Sequence, residues 1–145
     1  MGALEEAFLF YRATRYDLYG KALLKTNPKE YIVDTGFRTW MAGYRVTDTG
    51  RLFENAVYLQ LLYEGWSVHV GKLYGKEVDF VATKDGRVLY VQATDEMLAS
   101  ETREREIAPL KSIRDNHEKI VVARQGSYDT DIDGIRIVSA RDFFL

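Results

Sequence analysis

The sequence predicts a mixed α/β fold, a central mixed sheet flanked by helices. Three observations carry that prediction. From about Gly50 to Glu64, Phe53, Val57 and Leu61 form an apolar stripe at helical spacing, broadened by Leu52, Ala56 and Leu59. Two alternating runs, Lys76–Thr83 and Arg87–Thr94, flank Lys84-Asp85-Gly86, and Asp-Gly between such runs is a strong hairpin signal. Lys119–Ala123 is a continuous apolar run of the kind buried on both faces of a parallel sheet.

The elements follow in order. Leu4, Phe8 and Tyr11 recur at helical spacing and predict a short helix over Ala3–Tyr11. Its start at Met1-Gly2 is abrupt and uncapped, so the chain reads as a fragment of a longer protein. Two short segments around Gly20 predict a basic hairpin carrying Arg12, Arg15, Lys21 and Lys25. Pro28 breaks the chain before Tyr31-Ile32-Val33, and Asp34 or Thr35 caps a short helix through Met41. Gly65 ends the long helix, and Trp66, Val68 and Val70 then alternate as a strand. A further helix runs from Ser100 towards Asn116 with Ile107, Leu110 and Ile113 inward, kinked or opened by Pro109. Ile135–Val138 supplies the last strand, and Arg141–Leu145 closes the chain with aromatic residues.

Composition narrows the chemistry. The 145 residues are 46% hydrophobic and 29% charged, which suits one globular domain with a short appendage and excludes disorder. Twenty Lys and Arg against 22 Asp and Glu give a net charge of -2, which excludes a polybasic binder while leaving room for a local basic patch. Cysteine is absent, so disulfides, thiol nucleophiles and iron–sulfur clusters are excluded. No apolar run approaches the roughly eighteen residues of a membrane span, and no signal peptide is visible, so a cytoplasmic location with no membrane partner is expected.

Three weaker signals fail. Gly65 to Lys72 has one residue too many for a phosphate loop, with Leu73 in place of the hydroxyl. Asp129 to Gly134 opens like a calcium loop, but position twelve is Ala140 rather than a bidentate Glu. The two histidines, His69 and His117, are far apart and support neither a zinc site nor a Ser-His-Asp triad.

The central hairpin carries the chemistry. With Asp85-Gly86 as its turn, Lys84 pairs with Arg87, and the register runs outwards through Val81–Tyr90 and Asp79–Gln92 to Glu77–Thr94. Strict alternation puts Glu77, Asp79, Val81, Tyr90, Gln92 and Thr94 on one face, and Val78, Phe80, Leu89, Val91 and Ala93 on the other. Paired residues have Cβ atoms about 4.5–5.5 Å apart, so Asp79 and Gln92 can share one ion.

An Asp and a chelating residue on neighbouring strands, after a helix bearing Glu54, resemble the skeleton of the PD-(D/E)XK nucleases. Glu77-Val78-Asp79-Phe80 resembles that superfamily's Asp motif, and Gln92-Ala93-Thr94 stands where its Glu-x-Lys motif belongs. The chain also resembles the C-terminal domain of prokaryotic AAA-family ATPases. The likeness rests on Lys29-Glu30-Tyr31 with Asp34, Gly36 and Arg38, on Glu54-Asn55-Ala56-Val57, on Glu77-Val78-Asp79-Phe80, and on Tyr90-Val91-Gln92. It continues through Thr102–Glu106, Asp115–Lys119 and Asp133-Gly134-Ile135.

That resemblance implies a restriction-endonuclease-like domain over 42–145, preceded in 1–41 by the remnant of a winged-helix module and a linker. It implies Glu54, Asp79 and Gln92 as catalytic and metal ligands for Mg²⁺ or Mn²⁺, which would stabilise an attacking hydroxide and the pentavalent phosphate. It implies Arg12, Arg15 and Lys21 as a wing that contacts DNA or RNA, and the ATPase module of the same polypeptide as partner. The Walker motif of such an ATPase is absent from this chain.

Two positions depart from an active nuclease. Gln92 brings oxygen without charge, and Thr94 replaces the Lys, a loss on the order of a hundred- to a thousandfold in rate. Lys76 alternates to the wrong face, and Arg103 or Arg105 is a candidate relocated cation. Glu54 in a first helical turn is also favoured by the helix dipole alone, and Gln92 fits an ordinary sheet-face amide. The expected function is therefore a nuclease-like, nucleic-acid-associated domain with a degenerate metal-dependent phosphodiesterase site. The alternative is a non-catalytic protein-interaction or regulatory domain of the ATPase.

Overall fold

The structure is a computed structural model that describes residues 9–34, 36, 43, 49–97, 99–126 and 130–145. In chain order its strands begin with β1 (Phe10–Ala13), β2 (Arg15–Asp17), β3 (Ala22–Leu23) and β4 (Lys29–Ile32). Helix α1 (Thr49–Tyr63) leads into β5 (Ser67–Leu73), β6 (Lys76–Lys84) and β7 (Arg87–Glu96). Then come α2 (Ser100–Lys111), β8 (Glu118–Gln125), β9 (Asp131–Ile132), β10 (Ile135–Ser139) and α3 (Ala140–Phe144). One mixed eight-stranded sheet has the order β3-β2-β5-β6-β7-β8-β10-β9, and β1 and β4 form a separate antiparallel ribbon.

The centre of the sheet grows from the Asp85-Gly86 turn, where both residues take left-handed φ values, 49° and 78°, as a two-residue hairpin turn requires. The β6–β7 ladder keeps the expected register from Lys84↔Arg87 to Phe80↔Val91. Strand β7 then pairs in parallel with β8, and β8 with β10, the β7–β8 connection crossing over through α2.

Two apolar layers sandwich the sheet. Helix α1 buries Phe53, Val57, Tyr58 and Leu61 against Val70, Phe80, Leu89, Val91 and Val122, and Phe143 and Phe144 of α3 join this layer. On the other face α2 buries Ile107 and Leu110 against Val81, Tyr90, Val121 and Ile137. Among the described residues no helix is long and apolar enough to cross a membrane. A mixed sheet flanked by helices is thus the observed architecture.

Strict alternation along β6 fails at one place. Between His69 and Gly71 of β5 the partners on β6 step from Val81 to Val78, so β6 carries one extra residue, a β-bulge. Val78 consequently packs with Val81, on the α2 face, instead of with Phe80. Gly71 permits this: a Cβ there would lie 3.0 Å from both Val78 Cβ and Val81 Cγ2.

Other boundaries also move. Phe10 and Tyr11 are in β1 rather than at the end of a helix, because Phe10–Ala13 pairs with Lys29–Ile32. Residues 3–8 of that expected helix, and most of the short one expected through Met41, lie outside the described residues. Helix α2 stops at Lys111, two residues past Pro109, whose missing N–H weakens the last turn, while Ile113 still packs inward. The hairpin around Gly20 forms, with Tyr16↔Leu23 and Asp17↔Ala22, but β2 also pairs in parallel with β5. Strands β2 and β3 are therefore an edge of the main sheet.

The β1–β4 ribbon is tied down by Asn55. Its buried side chain donates to the Ile32 carbonyl at 2.8 Å and accepts from the Ile32 N–H at 2.9 Å, as a ladder partner would. Tyr31 then stacks on Tyr58, with ring centroids 4.0 Å apart. Asn55→Ala leaves both Ile32 groups unpaired and should destabilise the chain by about 2–4 kcal/mol in urea unfolding, whereas a loss under about 0.5 kcal/mol would refute the clamp.

Candidate functional site

The three residues singled out for metal binding are near one another but differently engaged. Glu54 projects from the second turn of α1, with its side chain only 16% exposed. Its Oε1 accepts from the Tyr31 hydroxyl at 2.7 Å and from the Lys29 ammonium at 2.7 Å. Asp79 stands at the bulge, and its Oδ2 accepts from the Ala93 N–H at 2.9 Å. Gln92 returns the exchange: its Oε1 accepts from the Asp79 N–H at 3.2 Å. The side chains of Asp79 and Gln92 thus take up backbone donors just where the β6–β7 ladder stops.

Glu77 is drawn into the site by the same bulge. The extra residue turns it away from the Val81 face and towards α1, where its carboxylate meets three cations from three strands. Arg15 of β2 donates at 2.8 Å, Lys29 of β4 at 2.9 Å and Lys72 of β5 at 3.0 Å. Lys29 therefore bridges Glu54 and Glu77, and a cleft of about 490 Å³, lined by Lys29, Tyr31, Arg51 and Glu54, opens beside it.

The charges of the two acids on β6 respond in opposite senses. Burial pushes the Asp79 carboxyl up, and the nearby Glu54 charge pushes it further, to about 7, against the help of the Ala93 N–H and Lys29. Burial also pushes Glu77 up, but hydrogen bonds from Lys29, Arg15 and Lys72 outweigh it and hold Glu77 at about 2. Lys29 loses by desolvation and gains more from Glu54 and Glu77, so it is held above its ordinary value and stays charged. Burial first, then Glu54, raises the Tyr31 hydroxyl, which remains a donor.

A divalent cation does not fit this arrangement. Glu54 is paired with Lys29, Glu77 with Lys29, Arg15 and Lys72, the Asp79 carboxyl is partly protonated near neutral pH, and Gln92 is turned to backbone. Among the described residues no three His, Cys, Asp or Glu side chains gather as a metal-holding group. The expected ligands Glu54, Asp79 and Gln92 are each engaged by protein donors: Glu54 by Tyr31 and Lys29, Asp79 by the Ala93 N–H, and Gln92 by the Asp79 N–H.

The remaining expectations fare unevenly. Thr94 is buried, and its hydroxyl donates to the Glu96 carbonyl at 3.1 Å. Arg103 turns to the Met97 carbonyl, and Arg105 pairs with Glu106, so neither supplies a cation to Glu54. Arg12, Arg15 and Lys21 do not form one basic surface. Arg12 pairs with Glu30 across the β1–β4 ribbon, Arg15 points in to Glu77, and Lys21 lines a different cavity. Lys29 and Tyr31, central here, stand in the Lys29-Glu30-Tyr31 motif, but no local periodicity links them to Glu54, 25 and 23 residues away. Pairing of a motif lysine with a motif carboxylate was the one available signal.

No family model and no solved structure matches the chain. An uncharacterized protein of Haemophilus influenzae is 43% identical over 142 residues, which is 98% of this chain and 35% of that protein. The chain spans only about a third of the length of this relative.

The two β6 acids make a signed prediction. The Asp79 carboxyl has an ordinary value of 3.8 and a folded value of about 7, so between these pH values the folded chain keeps a proton that the unfolded chain has lost. Its contribution to stability therefore falls as pH rises through that window. Glu77, held at about 2 against 4.5, contributes fully above 4.5, and that contribution is lost as pH falls towards 2. Asp79→Asn keeps an acceptor for the Ala93 N–H and should stabilise the chain at pH 8 by at least about 1 kcal/mol, with the gain vanishing near pH 4. Thermal melts across pH check this, and a loss of stability at pH 8 would contradict it.

Proposed function

We propose that this chain is a PD-(D/E)XK-like, restriction-endonuclease-like domain that has replaced its catalytic metal with an internal ammonium. It acts as a non-cleaving interaction or regulatory domain of a larger cytoplasmic protein. The observation that carries this reading is the Lys29 ammonium, 2.7 Å from Glu54 and 2.9 Å from Glu77. Mg²⁺ needs carboxylates that are free to replace some of its waters, and here it would have to displace a hydrogen-bonded lysine first. The order α1, β5, β6, β7, α2, β8, with Glu54 on the helix and Asp79 on the second strand, supports the nuclease-like ancestry. Gln92 and Thr94 in place of Glu-x-Lys support the loss of cleavage.

The partner favoured by the sequence resemblance is an AAA-type ATPase module of the same polypeptide. The Haemophilus relative, in which the matched region fills 35% of the length, has room for such a module. Binding of DNA or RNA through Arg12, Arg15 and Lys21 finds less support, because these cations are dispersed and the net charge is -2.

Incubated with plasmid DNA or with RNA and Mg²⁺ or Mn²⁺, the chain should leave both intact. Lys29→Ala, which releases Glu54 from its ammonium while Arg15 and Lys72 still hold Glu77, should bind Mn²⁺ at least about tenfold more tightly than the parent by calorimetry. Metal-dependent cleavage by the parent chain that Asp79→Ala abolishes would overturn the proposal, as would unchanged Mn²⁺ affinity in Lys29→Ala.

A further inference from the structure

A second cavity, of about 610 Å³, lies on the α2 side of the sheet, and none of Lys29, Glu54, Glu77 and Asp79 lines it. It runs under the β2–β3 hairpin, across β5–β7 and up to the segment after α2. Its walls are unusually rich in rings: Tyr16, Tyr19, His69, Tyr74, Tyr90 and His117 all contribute. Two of these, Tyr19 and Tyr74, are 72% and 73% exposed, with centroids 5.3 Å apart, so they present aromatic surface that the core does not use.

Tyr74 is held there against local preference. It occupies the first position of the Tyr74-Gly75 turn between β5 and β6 with φ of 48°, a left-handed conformation that is unfavourable for a bulky side chain. The corresponding turns at Asp85-Gly86 and Asp133-Gly134 carry Asp, which such turns favour. A strained aromatic at the rim of a cavity is an outlier that points towards recognition.

The charge of the cavity is equally specific. Asp115 is already satisfied: its Oδ2 accepts from the Tyr90 hydroxyl at 2.6 Å, and its Oδ1 from the His117 N–H at 3.1 Å and from Lys119 at 3.3 Å. Lys21 and Arg114 also line the cavity, are exposed, and have no ion pair with any described residue. In a chain of net charge -2 this leaves a local cationic rim over aromatic walls.

We propose that this cavity binds a mononucleotide, with its base stacked on Tyr74 and Tyr19 and its phosphate paired with Lys21 and Arg114. Aromatic side chains stack on any base, and a guanidinium offers a phosphate two parallel hydrogen bonds. The volume falls within the roughly 300–1,000 Å³ of ordinary small-molecule sites, too small for a structured duplex. The proposal does not depend on the fate of the carboxylate site.

The test is calorimetric titration of the 145-residue chain with AMP, GMP, CMP and UMP, beside adenosine and inorganic phosphate. At least one nucleotide should bind saturably with one-to-one stoichiometry, about tenfold or more tighter than adenosine or phosphate. Tyr74→Asn, which suits the turn and should not lower the melting temperature, should weaken that affinity about tenfold, as should Tyr19→Ala at an exposed ring. Arg114→Gln should reduce the nucleotide to the affinity of its nucleoside. Absence of saturable binding with all four nucleotides would overturn the proposal. So would adenosine binding as tightly as AMP, or unchanged affinity in both tyrosine variants.

Discussion

The carboxylate of Glu77 is the point on which this end of the fold depends. Arg15, Lys29 and Lys72 reach it from β2, β4 and β5, and Lys29 passes the connection on to Glu54 of α1. One side chain therefore joins the sheet edge, the two-stranded ribbon and the long helix. Pairs of this kind are weak at a free surface, but here the partners are half-buried, and each cation satisfies an acid that would otherwise be stranded in a poorly solvated site. That linkage decides the chemistry as well as the architecture, because it supplies positive charge where a phosphodiesterase would place a metal.

The bulge in β6 makes the linkage possible. Without the extra residue, Glu77 would share a face with Val81 and look towards α2, away from Lys29 and Glu54. The bulge needs Gly71 opposite, since a Cβ there would press on Val78 and Val81. It also interrupts the ladder beyond Phe80↔Val91, leaving the Asp79 and Ala93 N–H groups to be satisfied by Gln92 and Asp79 side chains. These two residues thus have a backbone role that holds whether or not the site ever met a metal.

What could be read from the sequence follows the range of the forces involved. The α1 stripe, the Asp85-Gly86 turn and the inner hairpin register depend on neighbours a few residues apart, and all are found as expected. The face assignment of Glu77 and Val78 rests on period two, and period two cannot register an inserted residue; only the glycine at position 71 hinted at one. Lys29 was visible as part of a motif, yet its partners lie 25 and 48 residues away, brought together by the Asn55–Ile32 clamp and the Tyr31–Tyr58 stack. Arg15 read as a surface cation because a short basic hairpin gives no sign of which charge turns inward.

The two faces of the sheet now have different characters. The α1 face holds a closed network of acids and cations, and the α2 face holds an aromatic cavity with cations at its rim. The α1-face network decides whether the site can take a metal. The most direct measurement is anomalous diffraction at the manganese edge from crystals soaked in Mn²⁺ at about neutral pH, where aspartate and glutamate are ordinarily charged. Lys29 should stay between Glu54 and Glu77, with no anomalous peak at Asp79. A manganese peak bound by Glu54 and Asp79, with Lys29 swung aside, would contradict it.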